Sequence, residues 1–191
     1  MKRAEIEKKL KKELDKERYV HTLGVMYTAA AMAMAHQADM EKAMYAGLLH
    51  DCAKCISNHD KLKICKKNKI YISPSEERRP FLLHAKLGAY FARKVYGVED
   101  KDILHAIQVH TTGEPGMNTL DKIIYIADYI EPNRAKAPNL EEVRRLAFED
   151  LDQAMRKILS DTLNYLEKKG GEIDPRTVET YEYYEKQTTM E

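Results

Sequence analysis

The pair His50-Asp51 is the point in the chain where chemistry is most strongly indicated. It closes the run over residues 43–49, which carries no charge and has the Tyr45 hydroxyl as its only polar side-chain group. A helix that is apolar on every side is a buried helix. Removing an unpaired carboxylate from water costs several kcal/mol. Asp51 is therefore expected to interact with a cation, a metal ion or a dense set of hydrogen-bond donors.

Two further stretches place the same residue types inside uncharged runs. His21 lies within residues 19–35, which contain no formally charged side chain, and Asp128 interrupts the apolar run over residues 123–130. Taken alone, His21 is explained equally simply as a core histidine bonded to a backbone carbonyl. Taken together, two imidazoles and two carboxylates are ligands suited to iron, manganese, zinc or another divalent ion, with positions left for water and substrate.

Helices have to bring these side chains together, and the hydrophobic periodicity predicts an all-α chain. Asp39 and Thr119 are expected N-caps, and Pro132 is expected to stop the helix that carries Asp128. Residues 55–79 are polar and basic and are expected to form an exposed segment at the surface, in which only residues 70–72 resemble a strand. Helices are predicted over residues 2–17, 19–35, 40–51, 80–96, 100–110, 120–130, 141–169 and 175–187.

The helix over residues 19–35 carries two adjacent apolar stripes. Their members recur at helical spacing, which places His21 on the edge of a buried face. The first stripe comprises Val20, Leu23, Tyr27, Ala30 and Met34, and the second comprises His21, Val25, Thr28 and Met32.

Composition excludes several classes of protein. Thirty-two basic and 31 acidic residues give a net charge of +1, so no general nucleic-acid-binding surface is implied and any phosphate site is local. The Ala/Met run over residues 29–35 is far shorter than the roughly 20 residues that span a bilayer. An odd number of cysteines (Cys52, Cys55 and Cys65) and a charged start predict a reduced, cytoplasmic protein. A redox or zinc role for Cys52-x-x-Cys55 is disfavoured because no second pair follows.

Five segments in order resemble the YqeK type of HD-domain phosphohydrolase. The resemblance spans about residues 18–187, with Gly24 departing from a common Arg and Cys52 from a usual aromatic residue. It implies one HD domain over residues 1–191, with a core over about 18–169 on which helices 2–17 and 175–187 pack. The segments are Tyr19-Val20-His21-Thr22-Leu23, Leu48-Leu49-His50-Asp51-Cys52-Ala53-Lys54, His84-Ala85-Lys86-Leu87-Gly88-Ala89, His110-Thr111-Thr112-Gly113 and Ile126-Ala127-Asp128-Tyr129-Ile130-Glu131-Pro132-Asn133-Arg134.

The resemblance implies a metal-dependent bis(5'-nucleosyl)-tetraphosphatase that cleaves diadenosine tetraphosphate symmetrically to two ADP. Iron is the expected metal, and manganese, zinc or another divalent ion is the alternative. The implied metal ligands are His21, His50, Asp51 and Asp128, with His84 and His110 holding a second metal or the substrate phosphates. The implied catalytic residues are Asp51, Lys54 and Asp128. The implied substrate-binding residues are Lys54, His84, His110, Thr111 and Arg134, whose guanidinium is a planar donor fork for phosphate.

Three other interpretations stay open at this point. The first is another HD-domain nucleotidase that acts on (deoxy)nucleotides, and the second is a nucleotide-sensing module without turnover. A helical scaffold with no site is disfavoured, because it would leave the buried carboxylates of Asp51 and Asp128 unpaired. The expected partner is a dinucleotide, and the resemblance is compatible with a homodimer.

Overall fold

The computed structural model describes residues 1–188, which form α-helices, one short 3₁₀ helix and connecting turns, with no strand in that range. The predicted all-α fold class is therefore confirmed. The 3₁₀ helix, Pro80–Leu83, leads directly into α6. The α-helices are α1 (Arg3–Glu13), α2 (Lys16–Ala35), α3 (Met40–Leu49), α4 (Asn58–Lys67), α5 (Pro74–Arg78), α6 (His84–Lys94), α7 (Lys101–Val109), α8 (Thr119–Ile130), α9 (Leu140–Glu149), α10 (Leu151–Lys168) and α11 (Pro175–Thr188).

Helix α2 packs against both α3 and α8, and this contact decides which of its two stripes is buried. His21, Val25 and Met32 are buried, whereas Val20 and Tyr27 are exposed. His21 lies at the edge of the buried face, as predicted, since the buried side of α2 extends from it through Val25 and Met32 in one direction only. The helices α3 and α8 leave most of the first stripe in contact with solvent.

Helix α3 lies unusually close to α2 because Gly47 has no side chain. A Cβ atom at Gly47 would lie 2.9 Å from the Cα of Met26, a separation that real Cβ atoms essentially never show. The predicted burial of α3 is confirmed, with Leu48 and Leu49 fully buried. The close approach sets the C-terminal end of α3, where His50 lies, against the His21 face of α2.

The first and last helices pack on the same apolar core as the helices between them. Ile6 and Leu10 of α1 and Tyr184 of α11 are buried in the main cluster, which also contains residues of α2, α3, α7, α8 and α10. A smaller cluster of Ala53 and Cys65 with two leucines lies under the segment around α4. This second cluster supports the turn that follows α3.

Three predictions about individual elements differ from the structure. The N-cap of α8 is Asn118 rather than Thr119, because the Asn118 side chain accepts from the Asp121 backbone N–H at 3.0 Å. The single helix over residues 141–169 is two helices, because Asp150 has an extended backbone and its Oδ1 accepts from the backbone N–H groups of Asp152 and Gln153 at 2.9 and 3.0 Å. Residues 70–72 form no strand and lie between α4 and α5, and residues 55–79 contain both of those helices. A short β-branched stretch has no partner strand here with which to form a sheet.

None of the helices within residues 1–188 combines the length and the hydropathy that a bilayer-crossing segment needs.

Candidate active site

Helix ends from separate parts of the chain bring four histidines and two aspartates together. His21 projects from the second turn of α2, and the other three histidines of the cluster stand at helix termini. His50 follows the last residue of α3, His84 opens α6, and His110 follows the last residue of α7. Each of these histidines is buried. Asp51 follows His50 in the turn, and Asp128 is in the last turn of α8.

Three of the histidines are anchored in the same way. The Nδ1–H of His50 donates to the Gly47 carbonyl at 2.7 Å, that of His84 to Phe81 at 2.6 Å, and that of His110 to Ile107 at 2.7 Å. A histidine whose Nδ1 carries the donated proton presents its Nε2 lone pair to the opposite side. This arrangement is typical of metal-binding histidines, whose second nitrogen is held by a carbonyl or carboxylate.

The Nε2 atoms of the four histidines face one another in pairs. His50 Nε2 lies 3.3 Å from His21 Nε2, and His84 Nε2 lies 3.2 Å from His110 Nε2. Two lone pairs at this separation repel unless a cation or a proton lies between them. Burial, with a smaller contribution from the Lys54 charge, holds the pKa of His84 well below its ordinary value. Because His84 is then neutral, its Nε2 offers a lone pair to the Lys54 ammonium, which lies 3.0 Å away, or to a metal ion.

Asp51 lies between the two histidine pairs and is almost fully buried. Its Oδ2 accepts from Arg18 at 2.6 Å and lies 3.5 Å from His50 Nε2. Its Oδ1 makes no hydrogen bond, although His84 Nε2, His110 Nε2 and Lys54 Nζ surround it at 3.3, 3.6 and 3.5 Å. A buried carboxylate oxygen among nitrogens that do not bond it is a ligand position for a cation.

The charge state of Asp51 supports the same conclusion. Burial raises the pKa of its carboxyl group, but the surrounding His50, His110 and Lys54 outweigh burial and hold the pKa well below its usual range. Asp51 is therefore a carboxylate at neutral pH. Arg18 and Lys54 compensate this charge, and the unbonded Oδ1 of the carboxylate remains available to a metal ion.

Asp128 completes the cluster on the side that faces α2. Its Oδ1 lies 3.0 Å from His21 Nε2 and 2.7 Å from an Arg134 guanidinium nitrogen. Arg134 also donates from Nε to the Asp128 backbone carbonyl at 3.0 Å. Arg134 is thus linked to the cluster by its contacts with Asp128.

The ligand atoms of these side chains fall into three overlapping groups, each within 4.8 Å. The groups are His21, His50 and Asp51; His50, His110 and Asp128; and Asp51, His84 and His110. Imidazole nitrogens and carboxylate oxygens without thiolates suit iron, manganese or zinc. The residues present therefore fit a divalent metal ion, and Asp51 belongs to two of the groups.

A cavity of about 550 Å³ opens beside the cluster, and below it is called the first cavity. Its wall contains Lys54, His110, Thr111, Asp128 and Arg134, together with the aromatic rings of three tyrosines. Ligand cavities are typically about 300–1,000 Å³. Five of the predicted site residues therefore border a space large enough for a nucleotide.

Sequence reasoning missed Arg18 and Glu131. Arg18 is the partner of Asp51 described above, and Glu131 is a buried carboxylate whose Oε1 lies 3.1 Å from His21 Nδ1. The signal for Glu131 was its position at the C-cap of α8, where the helix dipole disfavours a negative charge. An acidic residue there requires a local positive or hydrogen-bonding partner.

Glu131 is held in place from two sides. Its Oε2 accepts from the Asn133 backbone N–H at 2.8 Å and from the Asn133 side chain at 2.9 Å. Gly24 leaves room for the carboxylate, since a Cβ atom there would lie 2.3 Å from Oε2. The glycine at position 24 is thus the neighbour of the group that orients His21.

The remaining histidines lie elsewhere: His36 contacts the Ala147 carbonyl, His105 pairs with Asp121 and Glu114, and His59 is exposed.

Glu131→Gln is expected to weaken metal binding by about 10- to 100-fold, the usual effect of losing a carboxylate that orients a metal-binding histidine. Titration of metal-free protein with Mn²⁺, followed by calorimetry, measures the change. Glu142→Gln, at an exposed position on α9, is the matched control and should bind as the wild type does. Equal affinity in the Glu131 variant would show that His21 needs no carboxylate.

The chain belongs to the HD domain family, whose model matches residues 18–133. The matched range includes His21, the His50-Asp51 pair and Asp128. The family resemblance predicted from the five segments is therefore confirmed.

Individual proteins similar to this chain indicate which class of HD-domain protein it resembles. A Bacillus subtilis (strain 168) protein named symmetrical bis(5'-nucleosyl)-tetraphosphatase is 43% identical over 176 residues, covering 91% of this chain and 92% of that protein. A Staphylococcus aureus protein of the same name is 33% identical and covers 91% of this chain and 90% of its own length. A crystal structure from Clostridium acetobutylicum, described as a predicted HD superfamily hydrolase involved in NAD metabolism, has a TM-score of 0.94 at 40% identity and covers 98% of both chains.

Proposed function

We infer that this chain is a metal-dependent hydrolase that cleaves diadenosine tetraphosphate symmetrically to two ADP. The relatives named symmetrical bis(5'-nucleosyl)-tetraphosphatase match it over about nine-tenths of its length and support this function. The carrying observation is the buried Asp51 carboxylate, which lies between two pairs of histidines. Two other members of the cluster, His110 and Asp128, line a nucleotide-sized cavity.

We propose that His21, His50, Asp51 and Asp128 hold one metal ion, and that Asp51, His84 and His110 hold a second. The unbonded Oδ1 of Asp51 and the facing Nε2 atoms support both positions. Iron is the proposed metal, with manganese or zinc as the alternative, since the donors are nitrogen and oxygen atoms only. When bound, such an ion acts as a Lewis acid toward phosphate oxygens and makes water more acidic.

The reaction is attack by the oxygen of a water molecule on one of the two central phosphorus atoms. A new P–O bond forms, the central bridging P–O bond breaks, the bridging oxygen leaves with the second ADP, and the protons of the water pass to solvent. We propose that Asp128, which borders the first cavity, orients the water. The pKa of Asp128 lies well below its ordinary value, since burial raises it less than His21 and its other partners lower it, so Asp128 accepts a hydrogen bond from the water without keeping its proton.

The cations on the cavity wall would balance the charge of the phosphates. We propose that Lys54 and Arg134 contact the phosphate oxygens, joined by His110 and by the Thr111 hydroxyl. The Lys54 ammonium lies 3.0 Å from His84 Nε2 and borders the first cavity, so it stands between the metal ligands and the substrate space. Fixed donors aimed at oxygens on which charge develops stabilise a phosphoryl-transfer transition state.

Three broader features of the protein are also proposals. We propose that residues 1–191 work as one HD domain, that the protein acts in the cytoplasm, and that it forms a homodimer. The burial of α1 and α11 residues in the main core supports the single domain. The three free cysteines support a reducing compartment.

Product analysis with diadenosine tetraphosphate tests the function. ADP is expected as the sole product, because attack at the central bridge leaves two phosphates on each adenosine. ATP with AMP would show asymmetric cleavage, and nucleoside with phosphate from monophosphates would identify a different nucleotidase. Binding of the dinucleotide without any product would identify a sensing module.

A further inference from the structure

A second cavity, of about 830 Å³, also borders Thr111. It is lined by α5, α6, the end of α7 and the start of α11, together with the segment around Tyr71. The first cavity is bordered by α8, α10 and the segment that follows α8. Different helices therefore build the two spaces, and Thr111 is the residue that borders both.

Thr111 is also in contact with the histidine cluster. Its Oγ1 lies 3.1 Å from His84 Nε2 and 3.2 Å from His110 Nε2. The neighbours of these histidines, Ala85 and Val109, form part of the wall of the second cavity. Thr111 thus links the second cavity to the cluster, so a chain of phosphates at the cluster can extend past its hydroxyl toward either cavity.

We propose that the two halves of the dinucleotide occupy the two cavities, with one adenosine in each and the central phosphates at the cluster. This inference rests on the proposed function. A symmetrical cut requires the broken bridge to lie midway between the nucleosides, so the site must hold a nucleoside diphosphate on each side of the cluster. The first cavity, at about 550 Å³, matches one nucleotide rather than a whole dinucleoside tetraphosphate.

The charges of the second cavity fit a nucleoside rather than phosphates. Its cations are largely neutralised: Lys86 pairs with Glu76 at 2.7 Å, and Arg176 pairs with Glu114 at 3.3 Å. Arg78 is likewise paired with Glu172. Adenosine carries no charge and does not have to break these pairs, whereas the phosphates remain near Lys54 and the metal ligands.

An aromatic ring and an amide are available to the base. Tyr71 borders the second cavity and is 72% exposed; the Lys86 ammonium lies 5.2 Å from the centroid of its ring, so a purine would stack on the opposite face. Stacking of a base on an aromatic side chain contributes about 1–3 kcal/mol. Gln108 lies on the exposed side of α7 and borders the same cavity. Its amide has both a donor and an acceptor, as the adenine edge requires.

The number of ADP molecules bound per chain tests the proposal without any turnover. Isothermal titration of the metal-loaded enzyme with ADP should give two sites per chain. Tyr71→Ala, and independently Ala89→Phe, which fills the second cavity, should weaken one of the two sites by about tenfold or more. Tyr165→Ala, at an exposed tyrosine of the first cavity, should weaken the other site.

Kinetics supply a second readout. Each second-cavity variant should raise KM for diadenosine tetraphosphate about tenfold while kcat changes less than twofold. One ADP per wild-type chain, or two sites that both variants leave unchanged, would overturn the proposal. A wild-type enzyme that forms no ADP from the dinucleotide would instead refute the proposed function, and the ADP titration would still decide where nucleotides bind.

Discussion

Asp51→Asn is expected to remove bound metal and to lower kcat/KM for diadenosine tetraphosphate by about 1,000-fold. The amide has the shape of the carboxylate but no negative charge, and one of its two oxygen positions becomes a nitrogen that cannot bind a cation. Asp51 is almost fully buried and belongs to two of the three potential ligand groups, so both proposed ion positions are affected. Asp128 belongs to the remaining group only, and its Oδ1 is shared with Arg134, so it does not replace Asp51 at both positions.

Elemental analysis of protein purified without added metal, with kinetics on the same preparation, measures this effect. Asp102→Asn is the matched control, because Asp102 is exposed and pairs with Lys42 away from the cluster. Circular dichroism of the Asp51 variant verifies its helical fold. Unchanged metal content would refute the ligand assignment, and lost metal with full activity would refute metal-dependent catalysis.

Lys54→Met is expected to lower kcat by about 100-fold and to leave the metal content unchanged. The ammonium lies 3.5 Å from Asp51 Oδ1 and borders the first cavity, but it is a donor and cannot be a metal ligand. Methionine keeps most of the side-chain volume and removes the charge. Since the charge is proposed to act on phosphates as the bridge breaks, the loss should appear in kcat more than in KM.

A charge-preserving variant separates electrostatics from packing. Lys54→Arg should recover part of the lost rate, whereas Lys63→Met, on α4 away from the first cavity, should behave as the wild type does. Metal loss in Lys54→Met would mean that Lys54 supports the ligands rather than the substrate. Full activity of Lys54→Met would show that the Lys54 ammonium does not contribute to catalysis.

The positions of the buried carboxylates were predictable for a simple reason. Asp51 and Asp128 each interrupt an apolar run, and a charge placed there has to be compensated locally. The all-α fold class was equally accessible, since helical periodicity and N-caps recur along most of the chain. Sequence patterns of this kind extend over a few residues, so they can be recognised without knowing which helices pack against the segment.

Other features depended on packing between distant segments. The two stripes of α2 look alike in the sequence, and only the positions of α3 and α8 bury His21 and expose Tyr27. The hydrophobic pattern continues through Asp150, so the pattern alone does not show that one helix ends and another begins there. Glu131 acquires its role because Gly24, more than 100 positions earlier in the chain, leaves space for its carboxylate.

The amino-acid pattern alone therefore established a helical chain with metal-binding residue types in dry surroundings, because burial of an unpaired charge is unfavourable in any arrangement of helices. Helix packing added the pairing of the histidines, the placement of Asp51 between the pairs and the two cavities that meet at Thr111. These depend on distances between residues far apart in the chain. Such distances are set by how side chains fill the space between helices, which no local pattern encodes.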